Sequence, residues 1–68
     1  MAIGKNIKFY RVMNGWTQND LADESGVSQT HISAIENGNK KNPGIESIKK
    51  IADAFRLTVD ELIKGEAE

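Results

Sequence analysis

Residues 18–37 read QNDLADESGVSQTHISAIEN, and this stretch decides the fold: two short helices meeting across one sharp turn. Ala22 falls in the first of them, where a larger side chain would push the helices apart. Gly26 stands four residues on, where the chain must turn sharply, a position that favours a residue tolerant of positive φ. Val27 supplies an apolar plug, and Ser28 offers a hydroxyl cap for the second helix. Ile32 and Ile35, three apart, share one buried face of that helix, which leaves Gln29, Thr30, Ser33 and Ala34 on the other. That outward face is polar, small and almost uncharged. It suits the reading of base edges in a major groove better than simple solvation.

Outward from this core motif, helical periodicity accounts for nearly all of the chain. A first helix is expected over Ile3–Asn14, with Ile3, Ile7 and Tyr10 in one stripe and Gly15 as its stop. Thr17 is the N-cap of the second helix, which runs to about Ser25, and Asp20 at its third position complements the helix dipole. The third helix spans Gln29–Asn37 and ends at Gly38, and Asn39–Pro43 is a polar, basic loop. Ile45, Ile48, Ile51, Ala52 and Phe55 mark a fourth helix over Ile45–Phe55 with Gly44 in the N-cap place. Thr58 and Glu61 form a capping box for a short fifth helix carrying Val59, Leu62 and Ile63, closed by Gly65. The expectation is an all-α domain over residues 1–65 with a frayed tail at 66–68. No strand pattern or repeat is present.

Sixty-eight residues allow one domain with a modest core, and the absence of cysteine and the single histidine leave no disulfide or structural zinc to staple it. Packing must hold it, with dimerisation as a supplement. No apolar run approaches the roughly 20 residues of a membrane span and no signal-peptide pattern opens the chain. It therefore reads as a complete, soluble cytoplasmic domain. The net charge of −1 is unusual for a nucleic-acid binder, but it is unevenly spread. Residues 1–14 carry Lys5, Lys8 and Arg11 with no acid, whereas residues 15–27 carry Asp20, Asp23 and Glu24 with no base. A dipolar molecule still offers phosphate a positive face.

These residues together resemble the Cro/repressor-type helix-turn-helix family, also called the XRE family. The resemblance rests on Ile3, Ile7, Tyr10-Arg11, Gly15-Trp16-Thr17-Gln18, Leu21-Ala22, Gly26-Val27-Ser28, Ile32-Ser33, Ile35-Glu36-Asn37-Gly38 and Pro43. It extends through Ile48, Ile51-Ala52, Phe55 and Leu57-Thr58-Val59-Asp60-Glu61-Leu62. It implies a compact five-helix, lambda-repressor-like bundle that places its third helix in the major groove of double-stranded DNA. Gln29 and Thr30 would then touch bases first, with Ser33 and Ala34 reading further along the groove. Gln18 matches the family's backbone-clamping glutamine, and Thr17, His31, Asn37, Lys40 and Lys41 complete the expected phosphate side. Arg11 and Glu36 match an internal salt bridge between first and third helices.

The expected function is a transcriptional regulator, a repressor that acts by blocking polymerase and binds a pseudo-palindrome as a homodimer. One such domain covers only about 600–1,000 Å² on DNA, so two are needed for useful specificity. Phe55, Leu57, Val59, Leu62 and Ile63 are the expected dimer surface. The competing class is a protein–protein interaction module, such as an antitoxin-like partner, built on the same fold. Phe9, Val12 and Met13 speak for it, because they depart from the family's charged residues there and fall away from the Ile3/Ile7/Tyr10 stripe. Either they widen an apolar face covered by the C-terminal residues, or they form a partner or dimer surface. An enzyme is not expected: the chain has no cysteine, no carboxylate–histidine constellation and no phosphate-cradling glycine loop. No cofactor, metal or small-molecule ligand is implied.

Overall fold

The structure is a computed structural model that describes residues 3–40 and 42–65. Five helices follow in chain order: α1 (Ile3–Met13), α2 (Gln18–Ser25), α3 (Gln29–Glu36), α4 (Ile45–Ala54) and α5 (Val59–Lys64). The anticipated helices are all present. Asn14, Asn37 and Phe55, read as final helical residues, lie just past the ends, where α1, α3 and α4 give way to their capping turns. The frayed tail expected at 66–68 lies outside the described residues.

The helix starts are set by side chains. Thr17 and Thr58 each accept a hydrogen bond from the backbone N–H three residues on, while Asp20 and Glu61 reach back to the cap N–H, so both form complete capping boxes. Ser28 accepts from the His31 backbone N–H and starts α3. Gly26, between α2 and α3, has φ +79°, the left-handed conformation the turn requires.

Ile7, Leu21, Ile32, Ile35, Ile51 and Leu62 are fully buried or nearly so, and Val27, Ala52 and Phe55 complete the core. Helix α3 sits against both α1 and α2, α4 packs on α2, and α5 closes the bundle against α1 and α4. Phe55 is sandwiched by aromatics: its ring stacks on Trp16 at 5.7 Å and meets Tyr10 at 5.7 Å. Trp16 thus serves packing.

Two of the five residues assigned to a dimer surface need correcting. Leu62 is fully buried and Phe55 is only 9 % exposed, because α5 needs one side chain to close the bundle and the aromatic stack needs the other. Leu57, Val59 and Ile63 stay partly exposed.

Two contacts fasten α1 and were not foreseen. Gly4 lies so close to α3 that a Cβ there would collide with the Ile35 carbonyl. Asn6, buried on the same helix, donates from Nδ2 to the Leu62 and Ile63 carbonyl oxygens at 3.0 and 2.9 Å. It satisfies acceptors that the end of α5 would otherwise leave open.

Helix α4 ends in a way the sequence does not advertise. The Arg56 N–H donates to the Asp53 carbonyl and the Leu57 N–H to the Ala52 carbonyl, the paired bonds of a Schellman turn. Its left-handed position is held by Arg56 at φ +61° rather than by glycine. The equivalent place after α1 is Gly15, at φ +70°. A side chain in that conformation costs about 1–2 kcal/mol. Arg56→Gly is therefore expected to stabilise the fold by about 1 kcal/mol in urea melts, and a destabilised variant would show that the Arg56 side chain makes compensating contacts.

Candidate nucleic-acid interface

Helix α3 is amphipathic in the manner its residue order demands. Ile32 and Ile35 are buried, Thr30 is exposed, and Gln29, Ser33 and Ala34 are half-buried at its surface. The polar ridge therefore stands outward on an aliphatic underside instead of folding into the bundle.

Behind it lies a chain of hydrogen bonds that begins on α1. Arg11 Nε donates to Glu36 Oε2 at 2.8 Å and Nη2 to Oε1 at 3.0 Å, a two-pronged ion pair, while Nη1 donates to the Trp16 carbonyl at 2.8 Å. The two side chains are only 13 % and 5 % exposed. The Glu36 hydrogen bond raises the Arg11 pKa above its already high ordinary value, burial takes part of this back, and the Glu36 charge adds to it. Arg11 stays charged throughout the accessible pH range.

Glu36 Oε1 also accepts from Gln18 Nε2 at 3.1 Å, and Gln18 Oε1 accepts from Gln29 Nε2 at 2.7 Å. An ionised carboxylate only accepts, so Gln18 must turn its NH₂ group inward and its oxygen outward. That oxygen in turn calls on an N–H of Gln29. The orientation of both amides is thus dictated by one buried charge. Gln29 keeps its own Oε1 and its second N–H for whatever lies beyond α3. An acceptor beside a donor complements the N6–H donor and N7 acceptor of adenine.

The residues expected on the phosphate side are distributed as follows. Thr17 and Gln18 open α2, whose first N–H groups lack partners within the helix and whose dipole favours an anion. Gln18 spends its oxygen and one N–H on the amide relay, which leaves one N–H to offer a phosphate. Asn37 is exposed, but its Oδ1 accepts from the Asn39 N–H at 3.0 Å and shapes the turn after α3. Lys40 is exposed, with its backbone N–H tied to the Ala34 carbonyl. Lys41 lies outside the described residues. His31 is half-buried on α3, and its Nε2 is enclosed with no partner among the described residues, so a phosphate could be met only through Nδ1.

The sequence model of the helix-turn-helix family matches residues 7–62. The chain belongs to this family, as an XRE-type member. Among its relatives, the HTH-type transcriptional regulator SlrR of Bacillus subtilis is 39 % identical over 64 residues, covering 94 % of this chain and 42 % of SlrR. The competence pilus inhibition repressor of Acinetobacter baylyi is 41 % identical over 63 residues, covering 91 % and 56 % of the two chains. This helix-turn-helix chain thus spans about half the length of these relatives. A crystal structure of SinR, the master regulator for biofilm formation, in complex with DNA superimposes with a TM-score of 0.85 at 33 % identity, over 90 % of this chain and 97 % of that one.

Proposed function

We propose that this chain is a sequence-specific DNA-binding transcriptional regulator that places α3 in the major groove and acts as a homodimer on a pseudo-palindromic site. The observation that carries the reading is the fixed polarity of Gln29: an outward amide at the start of an exposed polar ridge, oriented from behind by Gln18 and Glu36. The DNA-bound SinR neighbour and the regulator names of the relatives support it. Gln29 and Thr30 read the first base pairs, and Ser33 and Ala34 allow close approach to the next. Thr17, the free N–H of Gln18, Asn37 and Lys40 meet the backbone.

Two copies bound side by side present their reading helices about 34 Å apart, or a multiple of it. Repression then follows from occupying polymerase's site. A cytoplasmic, nucleoid-associated protein is the matching location. Among the described residues, no helix is long and apolar enough to cross a membrane.

Selection of bound duplexes from a random library tests this directly. The expected product is an inverted repeat with a preferred adenine within each half. Failure to enrich any motif at low or moderate salt would sink the proposal. Lys40→Ala is expected to weaken binding to all duplexes alike and to reduce the slope of log K against log salt by about 1; a parental slope would remove Lys40 from the phosphate contacts.

A further inference from the structure

Phe9, Val12 and Met13 are 37 %, 59 % and 67 % exposed, so the described residues leave a ridge of large apolar side chains open along the outer face of α1. Monomeric proteins tolerate scattered apolar residues, but three on adjoining positions of one helix form a contiguous patch. Beside it is a shallow cleft of about 220 Å³, lined by Tyr10, Leu57, Glu61, Lys64 and Gly65. Ridge and cleft are continuous, because the Phe9 ring meets Tyr10 edge-on at 5.4 Å. A cavity of about 150 Å³ accepts a benzene ring, so this cleft has room for one of the ridge side chains.

We propose that this face joins two copies of the chain, the Phe9/Val12/Met13 ridge of each seated in the α1–α5 cleft of the other. The inference rests on the homodimer reading above and says where that contact lies. A two-fold contact must be self-complementary, with knob and hole on one surface so that both are filled at once, and this face carries both. Its charges agree. The outer side of α1 bears Lys5 and Lys8 and no acid, whereas α5 opens with Asp60 and Glu61 and carries one base, Lys64, in its last turn, which leaves it net acidic. Crossing α1 of one copy over α5 of the next brings opposite signs together. Of the five side chains expected to form a dimer surface, the burial of Phe55 and Leu62 leaves Leu57, Val59 and Ile63 partly exposed, and Ile45, 67 % exposed, is a single large apolar side chain at the start of α4 rather than a ridge.

The test is sedimentation equilibrium of the parent and of Val12→Lys and Met13→Lys, both at exposed positions, with circular dichroism melts to verify folding. It is joined to binding measurements on the selected duplex and on a single half of it. The expected result is a parental dimer, variants whose dimer dissociation constant rises about tenfold or more, variants that keep the parental circular dichroism spectrum and lose the concentration dependence of melting, and lost cooperativity on the two-half duplex with single-half binding preserved. Variants that dimerise like the parent would overturn the assignment of this face while leaving the homodimer standing. A parent that is monomeric and non-cooperative on the two-half duplex would remove the homodimer itself, with DNA binding still separately measured on the single half. A monomeric parent whose Lys8, Phe9 and Val12 amide resonances shift on adding a Glu/Leu amphipathic peptide would give the ridge to a different protein, and also overturns the proposal.

Discussion

Arg11→Ala is expected to lower the unfolding free energy by about 3–5 kcal/mol, the usual loss when one partner of a buried ion pair is removed. The Glu36 carboxylate, 5 % exposed, would keep the Gln18 N–H as its one remaining side-chain donor among the described residues, and the Trp16 carbonyl would lose the Arg11 donor. Domains of this size are stable by roughly 5 kcal/mol, so the variant should be largely unfolded at 37 °C and recover its helical signal only on cooling or with bound DNA. Urea melts at low temperature measure the difference; a loss under about 1 kcal/mol would place the pair among surface ion pairs instead. The double change Arg11→Met with Glu36→Leu separates stability from reading. Apolar replacement of a buried pair is often neutral or stabilising, so this variant should fold, yet Gln18 loses the carboxylate that orients it. Retained stability with a blunted base preference is the expected combination. Full parental preference would show that the relay does not set the reading amide.

Gln29→Ala is expected to cost about 1–3 kcal/mol of discrimination at one base pair of each half-site, read as the ratio of affinities for adenine and its replacements. The fold should be untouched, since Gln29 is half-buried at the surface and contributes no core side chain. Gln29→Glu is the sharper version. Its carboxylate cannot donate to Gln18 Oε1, so two oxygens would face each other where a 2.7 Å hydrogen bond now stands. Gln18 would have to turn, at the expense of its bond to Glu36. Both effects should therefore exceed those of the alanine variant, and identical profiles for the two would argue that Gln18 and Gln29 act independently.

Much of this molecule was legible from local rules. The caps at Thr17, Ser28 and Thr58, the stop at Gly15 and the turn at Gly26 each depend on residues within four positions of one another, and such signals survive any docking of the helices. The Arg11–Glu36 pair came through family resemblance, since 25 residues separate its members. What stayed hidden depends on distances between elements. Gly4 reads as a weak helix residue until α3 is known to lie on it, and Asn6 reads as a solvated polar residue until α5 ends beside it. Gln18 and Gln29 were identified singly, but their link needed α2 and α3 in place. Phe55 and Leu62 were misassigned because periodicity marks an apolar face without saying whether the same chain or a second one covers it. Arg56 fills a glycine's conformation, which no residue pattern announces.

The relay from Arg11 to Gln29 also bears on how a wrong base is refused. Freezing a long polar side chain at an interface ordinarily costs about 0.5–1.5 kcal/mol of rotamer entropy. Here Gln18 and Gln29 are tied to Glu36 and to each other by hydrogen bonds within the fold, so folding absorbs part of that cost. A stiff reader of this kind gains little by rearranging around a mismatch, and its errors should leave quickly instead of being accommodated.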